Sequence, residues 1–214
     1  MLPALVLTLV VTLYRVCYAL AGAPPDWANF SPVAAILLCS AAYLSRKVVL
    51  LAALGPLVVA DLLLNAHYHA PLIDTGMFSR YFCFALIILL GFALRRQHKY
   101  KALATFAGAT AGSCLFFVVT NTTTWLSSPD YSKSFEGWWQ ALTIGLPGYP
   151  PTLFFFRNTL LSDLLFTALF LMTQAASAKW LARHSDAPFP EMHQTVAPAI
   201  HDYGNTGTSR RRRD

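Results

Sequence analysis

Met77-Phe78-Ser79-Arg80-Tyr81-Phe82-Cys83-Phe84-Ala85-Leu86-Ile87-Ile88-Leu89-Leu90-Gly91-Phe92-Ala93-Leu94, followed at once by Arg95-Arg96-Gln97-His98-Lys99-Tyr100-Lys101, is the stretch that decides the fold. The apolar run has the length of a membrane-crossing helix, which needs about 20 residues with a range of about 17–25. The basic link that ends it is what the cytoplasmic side of a bilayer attracts. One charge, Arg80, sits about a turn inside the run. Burying a charge at bilayer depth costs about 2.5–3.5 kcal/mol on insertion scales, so a charge kept there faces a cavity or a partner.

Working outward, five more apolar stretches predict spans at about Leu2–Leu20, Phe30–Leu44, Val48–Leu64, Ala102–Thr120, and from Thr152 to between Leu171 and Leu181. The second is shorter than a crossing requires. It opens on Asn29-Phe30-Ser31-Pro32, and proline suits a helix start because its missing N–H would be unpaired there. Composition agrees with a membrane protein. The chain of 214 residues is 56% hydrophobic and 12% charged, with mean hydropathy +0.48. A soluble domain carries about 25% charged residues.

The links alternate in charge. Ser45-Arg46-Lys47, Arg95–Lys101 and the segment after the sixth span are basic, whereas Gly22–Asn29, Asn65–Gly76 and Asn121–Pro151 carry only Lys133 among lysines and arginines. The positive-inside rule then puts both termini in the cytoplasm. The expectation is an all-α membrane protein, a six-transmembrane-helix bundle with N-in and C-in topology over residues 1–183. A disordered basic cytoplasmic tail follows over 184–214, with Pro188, Pro190, Pro198 and the run Arg210–Arg213. A cleaved leader ending near Ala19-Leu20-Ala21-Gly22-Ala23 is the competing reading of the start, opposed by Arg15 inside the apolar run.

The net charge of +6 marks topology and not nucleic-acid binding, because most lysines and arginines lie beside span ends or in the tail. Cys17, Cys39, Cys83 and Cys114 fall in different spans without metal-ligand spacing, so free thiols are expected. Asn65-Ala66-His67-Tyr68-His69 reads as a link with loop histidines, because histidines at i and i+2 do not share a helix face. No phosphate-binding glycine loop, zinc-protease motif or nucleophile elbow occurs, so neither an enzyme nor a cofactor is expected. Ala104, Gly108 and Gly112 form a stripe suited to close helix packing. Phe135–Ile144, with Trp138 and Trp139, predicts a short helix on the outer surface, either an interfacial anchor or a lid.

With this topology Arg15, Asp61, Arg80, Arg157 and Asp163 all fall in the outer half of the membrane. Two readings stand side by side. In one, the charges pair with each other or snorkel and only fix helix packing. In the other, Asn29, Asp61, Arg80, Asn121, Arg157, Asn158 and Asp163 converge on a site for a small polar solute. Arg80 and Arg157 would then hold an anionic group, the asparagines would orient it, and the aspartates would position the arginines.

Asn29-Phe30-Ser31-Pro32-Val33-Ala34-Ala35 and Phe155-Phe156-Arg157-Asn158-Thr159-Leu160-Leu161-Ser162-Asp163-Leu164-Leu165-Phe166, with Val118-Val119-Thr120-Asn121 and Trp125 between them, carry a resemblance. Over residues 1–181 the chain resembles a family of uncharacterised bacterial inner-membrane proteins. That family is similar to the S components of energy-coupling-factor vitamin transporters. The resemblance implies capture of a vitamin or cofactor precursor from the outer face of the bacterial inner membrane. It also implies a separate coupling subunit and two ATPases as partners. The matching polar positions are Asn29, Asn121, Arg157, Asn158 and Asp163. The inner part of span one reads Leu2-Pro3-Ala4-Leu5-Val6-Leu7-Thr8-Leu9, without the Ala-x-x-x-Ala spacing such components often use for docking. The alternative from another class is a non-transporting accessory membrane subunit.

Overall fold

Val33–Tyr43 (α1) is apolar on every side, and a helix of that kind belongs inside a bundle. Val33 to Ala42 are all buried. In the computed structural model the described residues are 29–48, 54–67, 69, 71, 73 and 75–185, with isolated positions between 6 and 20. Most of the first span, Arg15, most of the cleavage stretch and the tail beyond residue 185 lie outside them.

Five further helices follow α1: α2 (Gly55–His67), α3 (Thr75–Leu94), α4 (Lys101–Ser127), α5 (Phe135–Leu142) and α6 (Thr152–Ser185). A single helical turn, Arg46–Val48, lies between α1 and α2. No strand occurs among the described residues. Among the described residues three helices are long and apolar enough to cross a membrane, over Gly76–Leu94, Lys101–Ser127 and Thr152–Trp180. The fold is therefore all-α with membrane-type helices.

Two expected spans differ. The second is an 11-residue helix, about 16 Å long at 1.5 Å per residue. That is about half the hydrocarbon thickness of a bilayer. The third was expected over about Val48–Leu64; residues 49–53 lie outside the described ones, and the helix is described over Gly55–His67. The fifth runs past Thr120 to Ser127. There, Thr120, Thr123 and Thr124 each return a hydroxyl bond to the carbonyl four residues back, which lets a polar sequence stay helical.

α4 stands between α3 and α6, and α1 packs against all three. The core is Ile36, Leu37, Leu38 and Cys39 of α1 against Phe84, Ile87 and Ile88 of α3, Ala109 of α4 and Phe170 of α6. The stripe on α4 is internal packing: a Cβ on Gly108 would meet Leu94 and Leu38, and one on Gly112 would meet Ile87 and Ala34. Gly91 of α3 sits closer still, where a Cβ would fall 2.6 Å from both Ala41 Cβ and Leu38 O of α1.

α1 is short, and both its ends are sealed by charges from distant segments. Its N-cap position is Pro32, which has no side-chain acceptor. The N–H of Ala35 donates instead to Asp163 Oδ1 of α6 at 2.8 Å. At the other end Arg95 Nε donates to Ala41 O at 2.6 Å, and Arg95 Nη2 donates to Leu44 O. An anion at the N-terminus and a cation at the C-terminus both complement the helix dipole. Arg95, read from the sequence as a topology marker, also holds α1 in place.

Candidate binding site

The sequence-derived candidates separate into three groups. Asn29 and Arg80 line shared space, with Asp61 behind Arg80 and Asn121 in the adjoining wall. Arg157 and Asn158 pair with each other. Asp163 serves α1.

The shared space is a recess of three adjoining cavities of about 160, 240 and 220 Å³, all touching Asn29 and Phe116. It lies where α1, α3 and α6 begin and α4 ends, at the end of the bundle away from Arg95–Lys101. Asn29 sits in the turn before α1 with φ +62°, a backbone region that asparagine tolerates better than most residues. Its carbonyl accepts from Ser31 N–H at 2.8 Å and from the Thr159 hydroxyl at 3.2 Å, tying the start of α1 to α6. Ser31 Oγ is buried on the recess wall without a hydrogen-bond partner.

Arg80 lies in the second turn of α3 and lines two of the cavities. Its Nε is 3.9 Å from Oδ2 of Asp61, which is 3% exposed. Tyr81 Oη donates to the same oxygen at 3.2 Å. Buried charge is tolerable when it is paired and hydrogen-bonded, and the pair joins α2 to α3. Aromatic rings complete the walls. Phe84 and Phe116 stack at 5.8 Å between centroids, and Phe117 meets Phe156 at 4.7 Å.

The last turns of α4 contribute Thr120, Asn121, Thr123, Thr124 and Ser127 to the recess. Asn121 Nδ2 donates one of its two protons to Phe117 O at 2.8 Å. This hydroxyl row was missed in reading the sequence for charges. Its signal was present in Thr120-Asn121-Thr122-Thr123-Thr124, a polar run that continues an apolar helix.

Arg157 does not line the recess. It is exposed, its guanidinium lies 4.7 Å from the Phe154 ring centroid, and Nε and Nη2 donate to Asn158 Oδ1 at 3.3 and 3.2 Å. Asp163 does not line it either. It is fully buried, and its second oxygen accepts from Ser113 Oγ of α4 at 2.6 Å. One carboxylate thus joins α1, α4 and α6. Its role as a remote cap was foreshadowed by Ser31-Pro32-Val33, a helix start whose cap residue offers no oxygen.

α5 packs on α4 and touches α6, and no residue of it lines the three cavities. Trp138 Nε1 donates to Thr122 Oγ1 at 2.9 Å, and Trp125 Nε1 to Ser132 O at 2.8 Å. Lys133 Nζ donates to Trp125 O and Ser128 O, closing the C-terminus of α4. Ser134 caps α5 by accepting from Gly137 N–H at 3.3 Å. Its hydroxyl bond to Glu136, aided by Glu136's own backbone N–H, holds that carboxyl below its ordinary pKa.

All four cysteines are free thiols, Cys39 and Cys83 buried and Cys17 and Cys114 exposed. Among the described residues no three histidine, cysteine or carboxylate side chains are grouped as a metal site would require. His67 ends α2, His69 follows with φ +53°, and Tyr68 lies outside the described residues.

No curated protein matches the chain, and no solved structure matches it. A family model does, over residues 1–185, and the chain belongs to that family, DUF6580, a family of unknown function.

Proposed function

We propose that this protein is a substrate-binding membrane protein that takes a small polar solute, such as a vitamin or cofactor precursor, from the outer face of a bacterial inner membrane. It works in the manner of an energy-coupling-factor S component, as a six-span bundle, with a coupling subunit and ATPases as separate partners. It is a carrier and not an enzyme. The observation that carries the reading is the second cavity, where the Arg80 guanidinium and the α4 hydroxyl row face one space of about 240 Å³. Polar groups few in number and convergent, with aromatic walls beside them, are how small-molecule sites are built. The positive-inside rule puts this end of the bundle outside, because Arg95–Lys101 closes the other.

One observation favours the other reading, a non-transporting accessory subunit. Arg157 and Asp163, two of the charges expected at the site, have their partners within the protein. The test is a thermal-shift screen of vitamins and cofactor precursors on the purified full chain, repeated on Thr123→Val. A ligand at 100 times its dissociation constant stabilises by about 2.7 kcal/mol. A shift reduced in Thr123→Val supports the carrier. No shift with any compound supports the accessory subunit.

A further inference from the structure

Apart from Ser31 Oγ, whose proton has no partner in the first cavity, the hydroxyls of Thr120, Thr123, Thr124, Ser79 and Thr159 have already spent their protons. Thr120 donates to Phe116 O at 2.7 Å, Thr123 to Val119 O at 2.9 Å, and Thr124 to Thr120 O at 3.0 Å. On the facing helices Ser79 donates to Gly76 O at 2.9 Å, and Thr159 shares its proton between Phe155 O at 3.0 Å and Asn29 O at 3.2 Å. A hydroxyl has one proton and two lone pairs, so each of these groups meets a ligand as an acceptor. Asn121, whose Nδ2 donates one of its two protons to Phe117 O, adds an amide that can accept through its oxygen or donate its second N–H.

Against this acceptor wall stands one donor-rich group. Arg80 borders the same cavity as Thr120, Thr123 and Thr124, and its charge is balanced by Asp61 3.9 Å away. The cavity therefore has a donor end and an acceptor end, and the charged pair beside it sums to zero. A ligand that left the wall facing its own acceptors would strand lone pairs on both sides, which costs more than a missing contact. A net anion would meet Arg80 with Asp61 close behind.

We infer that the recess is built for a small zwitterion, a compound with an ammonium or other multiple N–H donor at the threonine wall and a carboxylate at Arg80. This rests on the carrier reading above and names the ligand class for it. The second cavity, which holds both Arg80 and the threonines, is about 240 Å³, below the range of about 300–1,000 Å³ of drug-sized pockets.

The test uses matched probes on the purified full chain by isothermal calorimetry and thermal shift. The probes are α-, β-, γ- and δ-amino carboxylic acids, their N-acetyl and methyl ester counterparts, simple carboxylates, inorganic phosphate and a vitamin panel. The expected result is binding by one or more of the amino acids, weakened about tenfold by N-acetylation and again by esterification. Thr123→Val should weaken the amine-bearing probe and leave its N-acetyl counterpart unchanged. Arg80→Gln should do the reverse with the ester. Carboxylates, phosphate or an uncharged vitamin binding as tightly as any zwitterion would overturn the ligand class and leave the carrier standing. Silence from every probe, with the parent folded, would overturn the carrier reading and this inference with it.

Discussion

Replacing Asp163 tests the packing logic of the bundle most directly. The carboxylate accepts from Ala35 N–H at 2.8 Å and from Ser113 Oγ at 2.6 Å. The two bonds are not equal in worth. Ser113 also donates to Ala109 O at 3.0 Å, so its hydroxyl keeps an acceptor when Asp163 is gone. Ala35 N–H lies in the buried first turn of α1, where Pro32 offers no side-chain oxygen in its place. A buried donor left unpaired costs about 1–3 kcal/mol, and a bond to a charged acceptor is worth about 1.5–3. Interhelical side-chain bonds inside membranes average about 0.6 kcal/mol and reach about 1.7. Asp163→Ala should therefore cost about 3–4 kcal/mol, and Ser113→Ala about 1. Asp163→Asn keeps one oxygen for Ala35 and should fall near Ser113→Ala. The assay is equilibrium unfolding of the full chain in mixed micelles titrated with SDS, read by far-ultraviolet dichroism and tryptophan emission. If Asp163→Ala fails to fold, the Asn and Ser113 variants keep the comparison quantitative. Asp163→Ala within about 0.5 kcal/mol of Ser113→Ala would refute the assignment of the cost to the cap.

Other outcomes follow from the same geometry. Arg95→Gln removes the cation at the C-terminal carbonyls of α1 and should cost about 2 kcal/mol in the same titration, whereas Arg96→Gln, at an exposed position, should change little. Gly91→Ala would place a Cβ 2.6 Å from Leu38 O and Ala41 Cβ and should cost about 1–3 kcal/mol by forcing α1 and α3 apart; a neutral result would mean that the helices are not in contact there. On α5, Phe135 and Trp139 are 70% and 56% exposed beside the protein-facing Gly137 and Ala141. Such a flank suits the membrane interface, so brominated lipids should quench the emission that the parent has and Trp139→Phe lacks; quenching of that emission by aqueous iodide alone would place α5 in water.

Apolar length and link charge were enough to read an all-helical membrane-type chain, because a helix in lipid must satisfy its own backbone and announces itself by composition. The start of α6 and the helical nature of Phe135–Leu142 were equally legible, since each is a local pattern. The true extent of α1 was not, because a short apolar helix buried by protein and one bathed in lipid have the same sequence. The charges were legible as unusual but not as to purpose. Asp163 and Arg157 look alike on paper, each a charge near the start of one apolar helix. Tertiary structure sends the first to the N-terminus of α1, 128 residues away, and turns the second onto its own helix beside Phe154. What the chain determines locally is which segments are helices; which polar group faces a recess, a helix end or the outside depends on which helices meet, and that is decided by packing between residues far apart in sequence.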